Sequence, residues 1–362
     1  MSDTATPSAE MSDATTNAAP RDEATSKRPY TGSDTSSQAP WRSALRWETA
    51  LLAVLVAVLI LGAARSSTFF SGSTLFFGGL NEGEIAIMAL PLLLIVMVGE
   101  IDLSVAAMLG LSGAVMGNLF QHGSSIWVAM IVALAVGAGG GFLNGYLVAR
   151  LGLPSIAVTI GTLTLFRGIA EIILTNPTTK LFPASLAKVG VQPIGGTQIS
   201  YSFALFIVLA IGFAVVLHAT PLGRSLYAIG LQSEAAQFAG IRVNRIKLGL
   251  YVASGLLCAF AGILFTLKNA SASYGAGTGL ELNVVAVVLF GGVSIFGGRG
   301  TVLGVVLSVM IFGALQQALT QSHVSPEVQN IVTGLLLLLS VLVPNGADAL
   351  RRLRLRVRRR AR

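Results

Sequence analysis

Residues 103–149 contain no Asp, Glu, Lys or Arg. As one helix this stretch would run to about 70 Å at 1.5 Å per residue, more than twice the ~30 Å hydrocarbon core of a bilayer. Gln121-His122-Gly123-Ser124-Ser125 supplies a turn within it, so it reads as two membrane-length helices placed back to back. The whole chain has the same character. Of its 362 residues, 53% are of the set AVILMFWYC, only 11% are charged, and the mean hydropathy is +0.76. Soluble chains carry about twice that charged fraction. A globule of this composition could cover itself only with large apolar patches. The sequence is that of an integral membrane protein.

Apolar blocks recur from Glu48 onward between short polar breaks. With about 20 helical residues needed per crossing, the expected spans are 48–64, 83–99, 103–120, 125–148, 154–175, 200–218, 247–268, 280–296, 301–319 and 327–344. The expected fold is therefore all-α and polytopic, with about ten transmembrane helices. Placing both termini in the cytoplasm puts nineteen Lys and Arg inside and four outside, and positive residues are retained on the cytoplasmic side. Residues 1–40 hold no Val, Ile, Leu, Phe or Trp and carry a net negative charge. Such a segment cannot offset its ordering entropy, so a disordered, dispensable cytoplasmic tail is expected there. A transmembrane domain follows over 41–350. Eight arginines fill 351–362, a basic cytoplasmic tail better suited to anionic lipid than to nucleic acid.

Several function classes are disfavoured. A single Cys258 excludes a disulfide framework and CxxC metal sites, and His122, His218 and His323 lie far apart. No phosphate-loop pattern is present, and the glycines at Gly139-Gly140-Gly141 and Gly297-Gly298-Arg299-Gly300 do not complete GxGxxG. In apolar segments such glycines mark close helix packing, as do the small residues around Cys258. Neither an enzyme, nor a metal site, nor a cofactor bound by this chain is expected.

Polar residues in or beside spans are costly, and they usually face a protein interior or a solvated route. Glu100, Asp102 and Ser104 interrupt an apolar run, Asn144 sits late in the fourth span, and Glu281 and Asn283 open the eighth. Arg167 and Glu171 are four apart and share a helix face, so a pair is expected between them. These eight residues are candidates for a pathway or its gating. The plainer alternative is that Arg167 and Glu171 lock packing and that Asp102 caps a helix.

Between the sixth and seventh spans lies a cytoplasmic loop, 219–246. In it Ser233 is suited to an N-cap, Glu234 to the helix dipole and Gly240 to a helix stop. Ala235, Ala236 and Ala239 leave a short, small-faced helix that can enter a partner's groove or serve only as a connector. Glu234-Ala235-Ala236, three residues, then Gly240 resembles the coupling motif of permeases in ATP-binding-cassette importers. Pro221-Leu222-Gly223-Arg224 and Tyr227-Ala228-Ile229-Gly230 resemble its ribose-type version. So do Gly99-Glu100-Ile101-Asp102-Leu103-Ser104-Val105, Asn144-Gly145, Pro154-Ser155 with Val158-Thr159-Ile160-Gly161-Thr162, Arg167-Gly168, Glu281-Leu282, Gly291-Gly292 and Gly297-Gly298-Arg299-Gly300. Together these blocks span roughly 48–345.

The resemblance implies a permease subunit of an importer for a monosaccharide or sugar-like solute such as autoinducer-2. It implies a second permease copy or paralogue, cytoplasmic ATPase subunits that hydrolyse the ATP, and an extracytoplasmic solute-binding protein, in the inner membrane. It assigns ATPase coupling to Glu234, Ala235, Ala236 and Gly240. The sequence departs from the usual pattern at Glu100 and Ala106, and Glu100 with Pro154-Ser155 most resembles the rhamnose and autoinducer-2 branch. Rival readings are a secondary transporter or channel and an amino-acid permease of the same superfamily.

Overall fold

A helix that is apolar on every side has to be surrounded by others, and α2 (Gly72–Met97) is that helix. From Gly83 to Met97 every residue of it is buried. The computed structural model describes residues 40–178, 182–340 and 342. The expected N-terminal tail, except Pro40, and the basic end from Arg351 to Arg362 lie outside the described residues.

Around α2 stand α7 (Tyr201–Ala219), α10 (Val243–Lys268), α11 (Leu280–Phe290) and α12 (Val302–Gln321). Outside α12 lies α1 (Pro40–Arg65). On the other side α10 packs on α3 (Val105–Gln121) and α4 (Ile126–Ala149), and α3 packs on α5 (Ser155–Ile173). The short α6 (Ala184–Val191) rests against α10, and α8 (Pro221–Leu231) and α9 (Ser233–Phe238) join α7 to α10. Residues 326–340, α13 here, form a last helical stretch. The described residues form no named strand.

The closest helix crossing is α4 against α10. A Cβ on Gly141 would lie 2.3 Å from the Tyr251 carbonyl oxygen, and one on Gly255 would lie 2.2 Å from that of Gly137. Only glycine permits this approach, the small-residue packing typical of membrane helices. Cys258 is buried in the same seam, as its neighbours led one to expect. Of the triple glycine, Gly141 meets α10 and Gly140 meets Met108, whereas Gly139 faces open space.

Among the described residues, seven helices are long and apolar enough to cross a bilayer: α1 from Trp47, α2, α4, α5, α7, α10 and α12. The apolar helices α3 and α11 are shorter. Most expected spans match helices within a few residues, with two corrections. The span expected at 83–99 begins at Gly72, because Ser71 caps the helix by accepting from the Thr74 N–H at 3.3 Å. Glu84 then stays inside it by pairing with Lys268 at 2.7 Å. The span expected at 280–296 is helical only to Phe290. Its eleven residues cover about 16 Å, half a bilayer. Positive φ at Gly292, Gly297 and Gly298 then turns the chain toward α12.

Candidate coupling site and the two breaks beside it

The α8–α9 segment is built to hold a fixed shape. Thr220 caps α8 by accepting from the Gly223 N–H, and Pro221 opens the helix where no N–H is needed. Ala236 is buried, while Glu234, Ala235 and Gly240 are exposed. Gly240 takes φ +85°, the left-handed stop expected of it. Leu231 and Phe238 stand out beside Glu234, with Phe238 92% exposed. Phe238 was missed in the sequence, although an aromatic in an otherwise small-faced helix was the available signal.

Beneath α8, three backbones meet with no side chain between them. A Cβ on Gly230 would lie 1.9 Å from the Met97 carbonyl oxygen and 2.3 Å from the Gly298 nitrogen. The Gly298 N–H donates to that Met97 carbonyl at 2.8 Å. A Cβ on Gly297 would approach the Gly230 carbonyl oxygen at 2.7 Å and the Gly99 nitrogen at 3.1 Å. The Tyr227 hydroxyl donates to the Gly300 carbonyl at 2.7 Å. Burial, and secondarily the Glu48 carboxylate, push this phenol up from its ordinary range, so it remains a donor. Glu48 itself accepts from the Thr301 hydroxyl at 2.7 Å. The end of α2 and the turn before α12 are thus both seated on the helix that carries the coupling loop.

The break Gly99–Ser104 gathers half of the eight polar candidates: Glu100, Asp102, Ser104 and Asn144. Asp102 Oδ1 accepts from the Ser104 N–H at 2.9 Å and from its hydroxyl at 2.6 Å, which fixes the turn entering α3. Its Oδ2 accepts from Ser254 of α10 at 3.3 Å. Asn144 of α4 donates to the Ser104 hydroxyl at 2.8 Å. The Ile101 N–H donates to Ser155 Oγ at 3.1 Å, and the Ile101 carbonyl accepts from Thr159 at 3.3 Å and Tyr251 at 3.4 Å. Glu100 pairs with Lys247 of α10. Asp102, Ser104 and Asn144 are all buried. Three helices, α4, α5 and α10, are therefore tied by side chains to one non-helical turn, and Asp102 both shapes that turn and binds a neighbouring helix.

Arg167 does not pair with Glu171. Its Nη1 donates to the Ala276 carbonyl at 2.5 Å, and its Nη2 faces Glu281 at 3.9 Å, while Glu171 is exposed. The chain after α10 passes close to α3 (a Cβ on Gly110 would sit 2.8 Å from the Ala276 carbonyl oxygen), so it brings α11 within reach of Arg167 before Glu171 is. Asn283 stands apart from this pair, lining a small cavity with Glu82, Gln316, Gln329 and Thr333. The sequence reading had counted Lys247 only as a topological charge and had not singled out Glu82, Glu84, Tyr251 or Ser254. No spacing rule connects these residues to the break. Among the described residues no His, Cys, Asp and Glu cluster suited to a metal was found.

Residues 74–341 match the family model described as branched-chain amino acid transport system / permease component. The chain belongs to this permease family. The ribose import permease protein RbsC of Escherichia coli K12 is 35% identical over 303 residues, covering 82% of this chain and 93% of its own length. The autoinducer 2 import system permease protein LsrD of Salmonella paratyphi A is 29% identical over 315 residues, 83% and 92% of the two chains. No solved structure gives a significant match. The chain is accordingly a multi-pass membrane permease subunit of an importer rather than an enzyme, and the family expected from its motifs is the family found.

Proposed function

We propose that this permease forms the membrane pathway for a monosaccharide-like solute, and that α8 and α9 couple it to an ATPase on the cytoplasmic side. The observation that carries the coupling is the contact of Gly230 with Met97 and Gly298, because it leaves the loop no means of moving without moving both breaks. Glu234 offers charge-assisted hydrogen bonds to the ATPase, Ala235 a close approach, and Phe238 an apolar anchor. ATP is hydrolysed by that partner, and a solute-binding protein delivers the cargo outside. A second permease copy or paralogue completes the membrane unit.

The solute class rests on the relatives named for ribose and autoinducer 2 import. The higher identity to the ribose permease favours a plain monosaccharide. Glu100 does not argue against this, because its carboxylate is engaged by Lys247 rather than presented to a solute. Ten crossings with both termini cytoplasmic complete the reading: the seven long helices, α3, α13, and α11 completed by the non-helical segments on either side of it. In it, residues 1–40 are a dispensable cytoplasmic tail, 41–350 the transmembrane domain and 351–362 a basic cytoplasmic end.

The test is uptake by the reconstituted importer, with ribose, autoinducer-2 and leucine competing. Competition by the sugar-like solutes and not by leucine is expected. Leucine transport would overturn the solute class, and ATP-independent uptake would overturn the coupling.

A further inference from the structure

α7 and α10 both lean on α2 rather than on each other, and a cavity of about 370 Å³ opens between them. Pro91 and Leu94 of α2 form its floor, Phe213 and Val216 of α7 one wall, and Gly249 of α10 the other. Arg245, exposed, stands at the rim one turn into α10. The volume is more than twice the ~150 Å³ of an apolar cavity that accepts benzene. The walls present no hydroxyl or amide to a sugar, so hydrocarbon is the matching content.

Two further observations narrow the occupant. Gly249 lies inside a helix, where glycine costs about 1 kcal/mol against alanine, yet a Cβ there would meet nothing within 4 Å. Unlike Gly141 and Gly255, it is not required by a neighbouring backbone. Its lack of a side chain only keeps the crevice wide. Arg245 forms no ion pair among the described residues, whereas Lys247, two positions on, is taken by Glu100. Helices α7, α8 and α10 contain no Asp or Glu at all, and those of α2 lie in its first half. The rim thus offers an uncompensated guanidinium at the cytoplasmic end of an apolar slot, the arrangement by which membrane proteins hold acidic headgroups.

The geometry points to a bound anionic glycerophospholipid, with one acyl chain in the crevice and its phosphate on Arg245. Leu222 of α8 also lines the crevice, so the lipid abuts the proposed coupling element, and removing it loosens the packing of α8 against α2 and α7.

The experiment is native mass spectrometry of the full chain purified in detergent and offered equal phosphatidylglycerol and phosphatidylcholine. Wild type retains phosphatidylglycerol about five-fold over phosphatidylcholine, the preference one basic residue at a membrane surface gives. Arg245→Gln abolishes the preference while still retaining lipid. Gly249→Leu, whose Cβ meets nothing within 4 Å, projects its side chain into the slot and lowers retention of both lipids, with the thermal midpoint unchanged or raised. Equal retention of both lipids by wild type, an undiminished preference in Arg245→Gln, or undiminished retention in Gly249→Leu each overturns the proposal. So does a protein segment seen in the crevice of the assembled importer.

Discussion

The two breaks beside α8 are held by opposite means. Gly99–Ser104 is tied by side chains, with Asp102, Ser104, Asn144, Ser254, Ser155, Thr159 and the Glu100–Lys247 pair all reaching one turn. Gly291–Thr301 is held largely by backbone, through Gly297 and Gly298 pressed on Gly230, through the Gly298 N–H donating to the Met97 carbonyl, and through the Gly300 carbonyl accepting from the Tyr227 hydroxyl. A side-chain lattice has many bonds that break one at a time. A glycine contact between backbones has none to spare and transmits displacement directly. On these contacts the first break is expected to act as an adjustable latch, and the second as a rigid bearing for α8.

The bearing is the harder test. Gly230→Val places a side chain where backbone already stands within 2.3 Å on two sides. Overpacking of this kind costs about 1–3 kcal/mol or more, and no flexible neighbour is present to give way. Uptake is expected to vanish. The control Gly212→Ala in α7, where a Cβ meets nothing within 4 Å, is expected to transport as wild type. Ala236→Arg attacks the same path from its buried side. The protein inserts, but its ATPase partner no longer responds to loaded binding protein. If Gly230→Val transports at wild-type rates, the bearing is not part of the coupling.

The latch should yield by degrees. Asp102→Asn keeps the shape of the turn but weakens three charge-assisted contacts, a loss of about 1–2 kcal/mol. Uptake per assembled complex should fall while abundance is largely kept, as read by quantitative blotting beside transport. The Glu100–Lys247 pair is the next smaller effect, since both side chains keep 15% exposure. Glu100→Gln and Lys247→Gln singly should each lower the thermal midpoint, and the double variant should recover part of the loss. Coupling energies for residues in contact run from about 0.5 to 3 kcal/mol. A double variant equal to the sum of the singles would remove this pair from the latch.

The difference between the breaks also explains what was legible in the sequence. Helices follow from apolar length, so most spans were readable to within a few residues. Gly240 as a stop and Ala236 as a small contact residue follow from local rules that hold regardless of tertiary partners. The first break announced itself through Asp102 and Glu100, because carboxylates in an apolar run demand an account. Their partners did not, because Ser254 and Tyr251 are about 150 residues away and nothing in their local pattern is unusual. Glu82 and Glu84 were not singled out either. Glu82 lies just outside the expected span 83–99 and Glu84 just inside it, and only the partner Lys268, at the end of α10, accounts for Glu84 within the helix. Gly230 reads in sequence only as the last residue of the Tyr227-Ala228-Ile229-Gly230 block, and its necessity lies in the backbones it touches.

The smallest expected effect separates a local rule from a tertiary one. Spacing alone pairs Arg167 with Glu171, whereas the fold gives Arg167 to the Ala276 carbonyl and to Glu281 at the start of α11. Glu171 is exposed, and substitutions at such positions stay within about 0.5 kcal/mol. Glu171→Gln should therefore leave the thermal midpoint and uptake near wild type. Arg167→Gln removes a hydrogen bond to a half-buried carbonyl and leaves Glu281 facing no cation, so a loss of about 1–3 kcal/mol is expected. The pair also links the breaks, because α5 holds the first through Ser155 and Thr159, and α11 leads into the second. Arg167→Gln should then lower binding-protein-stimulated ATP hydrolysis more than basal hydrolysis in the assembled importer. If Glu171→Gln lowers stimulated hydrolysis as much as Arg167→Gln does, the helix-face pair operates in the working protein and the two breaks move independently of each other.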